Sequence, residues 1–71
     1  MVIAVASNDG LSAGARNIGE LLVRKNYYFV PFGQDNPIKK TNSLIAHTDK
    51  LIPTLEGALD GVQVQPILEA W

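Results

Sequence analysis

Two short runs hold the side chains with which this 71-residue chain could do chemistry: Ser7-Asn8-Asp9-Gly10 and Gly33-Gln34-Asp35-Asn36-Pro37. Each follows an apolar stretch and each is built from turn formers. Together they offer Asn8, Gln34 and Asn36 as amide donors and acceptors, and Asp9 and Asp35 as carboxylates. If the first run opens a helix, its backbone N–H groups and the helix dipole face an anion or a polarised ring carbonyl. The same residue types dominate ordinary turns and caps, so Asn8, Asp9 and Asn36 also carry a purely conformational reading. Three weaker candidates stand beside them. Lys39-Lys40 could receive a carboxylate or phosphate, or be a solvated pair. His47 has no partner that the sequence names, which favours a helix-surface or half-buried residue over a base. Tyr27, Tyr28, Phe29 and Phe32 could stack on a flat cofactor, though aromatics in a strand more often fill a core.

Other chemistries lack their parts. With no cysteine and one histidine there is no disulfide, no thiolate nucleophile and no expected metal site, and no G-x-S-x-G elbow is present. Gly10, Gly14 and Gly19 do not match the dinucleotide spacing G-x-G-x-x-G, and no P-loop lysine follows a glycine run. Six basic against seven acidic residues give a net charge of −1, so nucleic acid is not an expected partner. No apolar run approaches the roughly 18 residues of a membrane span, and Met1 to Ala6 lacks the basic n-region of a signal peptide. A cytoplasmic location is the expectation. A composition 46% hydrophobic and 18% charged describes a packed globular segment, and stability must come from packing alone.

The elements that would position these runs follow from periodicity. Val2 to Ala6 is a continuous apolar run and reads as a buried strand. Leu11, Ala15, Ile18 and Leu22 recur at helical spacing, predicting an amphipathic helix of about three to four turns. Asp9 or Ser12 would cap it, and Lys25-Asn26 would stop it. Tyr27 to Phe32 has strand composition, and Pro31 implies that its far end leaves the ladder. Residues 33–42 form a loop long enough for a functional role. Leu44, Thr48, Leu51, Leu55 and Leu59 then predict a second helix, capped by Asn42 or Ser43 and ended at Asp60-Gly61, with a kink or break at Pro53. Val62-Gln63-Val64-Gln65 alternates like a short edge strand that Pro66 terminates.

Strand, helix, strand implies a parallel pair whose two faces both require cover. Here both faces of both strands are apolar, yet only two such strands and two helices are available. Residues 1–71 therefore read as one segment of a Rossmann-like α/β domain, incomplete by itself or completed by other subunits. In such sheets ligands bind beyond the carboxyl ends of the strands, where the Asn8 and Gln34 runs would both lie.

The succession Ala6-Ser7-Asn8-Asp9-Gly10-Leu11, Ala15-Arg16-Asn17-Ile18-Gly19, Tyr28-Phe29-Val30-Pro31-Phe32-Gly33-Gln34-Asp35-Asn36-Pro37 and Asn42-Ser43-Leu44-Ile45-Ala46 closely resembles the C-terminal part of the B subunits of dipicolinate synthases. These are flavoprotein-like subunits of spore-forming bacteria, similar to the flavin-containing decarboxylase superfamily. The resemblance runs from Val2 to about Pro66. It implies a Rossmann-like sandwich that assembles as a homo-oligomer, in the cytoplasm of the sporulating mother cell. It also implies a partner A subunit carrying the nicotinamide cofactor NAD(P)H, and a joint oxidation of a dihydrodipicolinate-type small molecule to dipicolinate. FMN is the cofactor it suggests for this chain, and no metal. Of the superfamily's Pro-Ala-Met-Asn loop, Ala6 and Asn8 carry over; Asn8 would face flavin and substrate, with Ser7 and Gly10 beside it. Val5 and Ser7 replace the proline and methionine, which argues against decarboxylation. The superfamily's catalytic histidine and phosphate-binding loop belong to earlier segments. Gly33, Gln34, Asp35 and Asn36 would then orient a substrate carboxylate or close a subunit interface. The alternative function is a non-catalytic module that completes a sheet and docks the A subunit through the aromatic strand and long loop. A third is an inactive truncation product.

Overall fold

The computed structural model describes residues 1–71. Strand β1 (Val2–Ile3) pairs in parallel with β3 (Tyr28–Phe29), Val2 opposite Tyr28 and Ile3 opposite Phe29, as the strand-helix-strand order requires. The Tyr28 and Val30 amides donate to the Met1 and Ile3 carbonyls at 2.8 and 2.9 Å. Both strands then leave this pair. Ala4-Val5 leads into β2 (Ala6–Ser7), and Val30-Pro31 leads into β4 (Phe32–Gly33). These two flank β5 (Leu44–Ala46) in a second, antiparallel sheet of order β2-β5-β4. Pro31 sits buried at the crossing, where its missing N–H costs no ladder bond and its carbonyl accepts the His47 amide at 2.8 Å. The departure from the ladder expected at Pro31 is therefore observed.

The single strand expected over Val2 to Ala6 is corrected to two, because a uniformly apolar run does not mark where its hydrogen-bonding partner changes. The Val5 carbonyl already accepts from Ala46, in the second sheet, at 2.7 Å. The second helix is corrected at its start: 44–46 are strand, followed by a 3-10 turn Thr48–Lys50 and helix α2 (Leu51–Leu59). Leu44 and Ala46 are buried with Ile45 half-buried between them, an alternation too short to compete with the overlapping helical spacing of Leu44, Thr48 and Leu51. Asn42 and Ser43 cap nothing. Pro53 produces no kink, because it is the third residue of α2, where N–H groups have no intrahelical acceptor.

Helix α1 (Ala15–Leu22) has eight residues, shorter than its spacing predicted. The Ser12 and Gly14 amides both turn back to the Asp9 carbonyl at 2.9 and 2.8 Å, and the Leu11 amide is taken by Asn42 at 3.0 Å, which keeps residues 11–14 in turns. Gly14 occupies the N-cap with no side-chain cap bond, so neither Asp9 nor Ser12 caps as expected. The stop expected at Asp60-Gly61 holds, Asp60 being the C-cap of α2 and Gly61 lying in the left-handed region at φ 72°. The one expected at Lys25-Asn26 comes earlier: α1 ends at Leu22 with Val23 as C-cap, and the left-handed Asn26 at φ 66° belongs to the turn that follows.

The core gathers Val5, Phe29, Phe32 and Leu44, with Ile3, Ile18, Leu21 and Ile67 packed against it. The Phe29 and Phe32 rings meet tilted, 5.8 Å between centroids. In α1 the inward pair is Ile18 and Leu21 rather than the predicted Ile18 and Leu22. In α2 the inward residue is Thr54, fully buried with its hydroxyl donating to the Lys50 carbonyl at 2.7 Å. The predicted apolar stripe faces outward, with Leu59 89% and Ile52 62% exposed. Spacing identifies a stripe but cannot say whether the chain itself supplies its cover.

The edge strand expected at 62–65 is absent, and a side chain stands in its place. Gln63 Oε1 accepts the Phe29 amide at 2.8 Å and Gln63 Nε2 donates to the Phe29 carbonyl at 2.6 Å. One carboxamide thus closes the outer edge of β3 with the donor and acceptor of a neighbouring strand. Replacing Gln63 by Ala should destabilise the fold by about 1–3 kcal/mol, since it leaves buried peptide groups unpaired. Urea unfolding of the two proteins measures the difference.

Candidate functional site

The two chemistry-bearing runs do converge, and β5 brings them together. Because β2 and β4 flank β5, the turn after Ser7 and the loop after Gly33 open on the same side of the antiparallel sheet. Between them lies a concavity of about 170 Å3, floored by Ala6, Leu44 and Ile45 and walled by Ser7, Asn8, Asp35, Lys40 and Ser43.

The wall residues divide into those already occupied and those free. Ser7 donates its hydroxyl to Asp9 Oδ1 at 2.6 Å and accepts the Asp9 amide at 3.2 Å, a local turn that consumes one Asp9 carboxylate oxygen. The Asn8 side-chain amide makes no hydrogen bond within the chain and is exposed beside the cavity. Gln34 Nε2 donates to the Thr41 carbonyl at 3.0 Å, and Asn36 Oδ1 accepts the Lys39 amide at 3.3 Å. Both amides therefore shape the loop. Gln34 and Gly33 line a different hollow, of about 320 Å3, facing Leu68, Glu69 and Ala70. Asp35 and Lys40 remain at the first cavity without an internal partner, since the one ion pair in the chain joins Lys50 to Glu69 at 4.0 Å. Sequence reasoning places Lys40 below Gln34; the backbone turn that takes up the Gln34 amide has no signature that spacing reveals.

The two glycines have steric reasons for their positions. A Cβ on Gly10 would lie 2.8 Å from Leu44 Cδ1, and one on Gly33 would overlap the Glu69 carbonyl oxygen. Gly10 is buried beneath the cavity floor and is not part of its lining.

His47 is corrected from a helix position to the buried residue that follows β5. Its Nε2 lies 2.9 Å from the Glu69 carbonyl and its ring stacks on Trp71, centroids 4.1 Å apart. Its partners come from the chain's last residues, which no local pattern connects to it. Phe29 and Phe32 are core residues and offer no face to a cofactor.

Free Asn8, Asp35 and Lys40 around a small polar hollow can hold a small polar molecule, or the edge of a larger flat one. A flavin fits in part: the volume admits the edge of its ring beside the Asn8 amide, not the whole mononucleotide. No helix of the chain is long and apolar enough to cross a membrane.

Parallel strands, two helices and polar turns at the strand ends define a Rossmann-like α/β segment. No family model matches the chain. It is 46% identical over 68 residues, 96% of its length, to the B subunit of dipicolinate synthase from Bacillus subtilis (strain 168), of which it spans 34%. The crystal structure of the dipicolinate synthase B subunit from Bacillus halodurans C superposes with a TM-score of 0.95 and 48% identity, over 97% of this chain and 35% of that one. The resemblance read from the sequence is thus borne out: in sequence and backbone alike, the chain is similar to the B subunit of this synthase. It spans about a third of the length of the curated relative it matches.

The Gly10 contact gives a stability test. Gly10→Ala should cost about 1–3 kcal/mol through overlap with Leu44. In a Leu44→Ala background the same change should cost clearly less, and a double-mutant cycle in urea reads the coupling.

Proposed function

We propose that the chain forms the C-terminal segment of a flavoprotein-type B subunit of dipicolinate synthase, contributing one wall of a site completed by residues outside it. The observation that carries this reading is the free Asn8 amide at the meeting point of two loops, in a chain nearly half identical to the B subunits of two Bacillus species. In this reading Asn8 hydrogen-bonds the ring edge of FMN or of the substrate, and the 33–36 loop holds the cavity's far wall in place. FMN, when bound, supplies an electron acceptor and donor; the chain's own residues bind and orient. The whole enzyme oxidises a dihydrodipicolinate-type precursor to dipicolinate during sporulation, in the mother-cell cytoplasm. An A subunit carries the nicotinamide cofactor, and B subunits assemble as a homo-oligomer.

A second reading, a non-catalytic module docking the A subunit, is favoured by the outward leucines of α2. The docking surface would then be that helix and not the aromatic strand, whose Phe29 and Phe32 are buried.

Visible absorbance of the full encoded polypeptide with and without FMN, beside its intact mass, separates the two. A mass well above 7.7 kDa with bound flavin supports the first; a mass equal to it with no flavin supports the second. Asn8→Ala in the assembled enzyme should lower flavin retention or turnover by about tenfold, the loss of one oriented hydrogen bond, with no change in unfolding midpoint. Unchanged retention and turnover would remove Asn8 from the site.

A further inference from the structure

Arg24 and Lys25 lie beyond the end of α1 at Leu22, and the left-handed Asn26 folds them back beside the first residues of β3. The turn is pinned, since the Asn26 carbonyl accepts from the Met1 nitrogen at 2.7 Å and the Arg24 amide donates to the Leu21 carbonyl at 3.2 Å. Beside it opens a cavity of about 490 Å3 with Leu22, Phe29 and Ile67 as its apolar lining. Arg24, Lys25, Tyr27 and Gln65 stand around it, and no aspartate or glutamate does. Neither cation has a carboxylate within 4.0 Å, because the chain's one ion pair joins Lys50 to Glu69. Gln65 spends its Oε1 on the Ile67 amide at 3.1 Å and keeps its Nε2 free. Of the aromatic run, Phe29 and Phe32 belong to the core and the Tyr28 hydroxyl reaches toward Gly61. That leaves the half-buried Tyr27 ring at the cavity.

We infer that this cavity is a second ligand site, which takes a purine nucleoside monophosphate, the phosphate on Arg24 and Lys25 and the base against the Tyr27 ring. It lies at the amino end of β3, shares no lining residue with the Asn8 cavity, and is independent of the function proposed above. Charge selects the phosphate. Two cations without a carboxylate match a phosphate monoester, which carries about two negative charges near neutral pH, better than they match a monoanion. The carbonyl end of α1 offsets only about half a unit of that positive charge. Arginine adds a planar fork that grips two phosphate oxygens at once, beside the point charge of lysine. Size selects the rest of the ligand. A cavity of about 490 Å3 falls among the roughly 300–1,000 Å3 of sites that enclose drug-sized molecules, far more than a bare phosphate fills. An aromatic face, an apolar lining and one free amide donor suit a heteroaromatic base, which stacks and accepts a hydrogen bond at a ring nitrogen. The anion is held by side chains and not by a glycine loop, which is why no phosphate motif marks the sequence.

The test is equilibrium dialysis of the full encoded polypeptide against radiolabelled AMP, with adenosine and inorganic phosphate in parallel. AMP should bind saturably, about tenfold or more tighter than either of its parts. Arg24→Gln and Lys25→Gln should each weaken AMP by about tenfold, the loss of one charged partner, while Lys39→Gln, at a lysine that lines no cavity, leaves it unchanged. Tyr27→Leu should weaken AMP and leave the binding of phosphate as it was. Saturating FMN should not displace AMP. Absence of saturable AMP binding, adenosine or phosphate binding as tightly as AMP, equal losses in the Arg24 and Lys39 variants, or competition by FMN would overturn the inference. Both cations are exposed, so their variants should keep the urea midpoint of the parent, which checks that each is folded. Retention of FMN and binding of AMP are read separately, so either can fail without the other.

Discussion

The fold depends on one constraint: the buried run Phe29-Val30-Pro31-Phe32 must find a hydrogen-bond partner for its backbone groups with no water to help. It does so by changing partners along its length. Its first residues bond to β1 on one side and to the Gln63 carboxamide on the other. At Pro31 the chain sheds a donor it has no acceptor for and gives its carbonyl to His47. Phe32 then bonds outward to Ile67 and Glu69, while Gly33 after it pairs with Ile45 of β5. Everything that positions the cavity follows from this relay. The switch at Pro31 sends β4 into the second sheet, β5 fills the space between β4 and β2, and the two polar loops are left facing each other across β5.

This is why the loops are legible in the sequence as a pair and the strand beneath them is not. Ser7-Asn8-Asp9-Gly10 and Gly33 to Pro37 announce themselves by composition, and the parallel order of β1 and β3 follows from chain topology. Leu44-Ile45-Ala46 offers three residues of alternation inside a longer stretch whose leucines also fit a helix. Nothing local decides between the two. The decision is made by Val5, Pro31 and Gly33, distant in sequence, whose backbone groups draw these residues into a ladder. Gln63 is the same lesson reversed: Val62 to Gln65 alternates as a strand does, but the edge of β3 is closed by a side chain. That Lys40 lines the cavity while Gln34 is engaged by the loop is hidden for a related reason, since which polar side chain is free depends on which ones the loop uses up.

The outward face of α2 joins these points to assembly. A helix of this composition packed by Thr54 and Gly57, with Leu51, Ile52, Leu55 and Leu59 exposed, leaves a contiguous apolar surface that soluble monomers seldom carry. By spacing alone the same residues read as the inward stripe of the helix. The direction differs, while the physical demand for cover does not. A hollow of about 550 Å3 between Met1, Val2, Tyr28, Leu55 and Leu59 runs along that face, beside the parallel pair. The chain is thus polar where its loops meet and apolar on the flank of its first sheet.

Trp71 is the only tryptophan, and it lies stacked on the ring of His47 while Glu69 beside it holds both Phe32 and His47. That placement turns the end of the chain into an optical gauge. An indole stacked on an imidazole and one swinging free in water differ in emission intensity, so the intrinsic fluorescence of the unlabelled molecule distinguishes a tail seated on β4 from one that has lifted away. Since the seated tail also covers the outer side of Phe32, the same light reports, without any added dye, whether the relay of buried backbone bonds is closed at its last station.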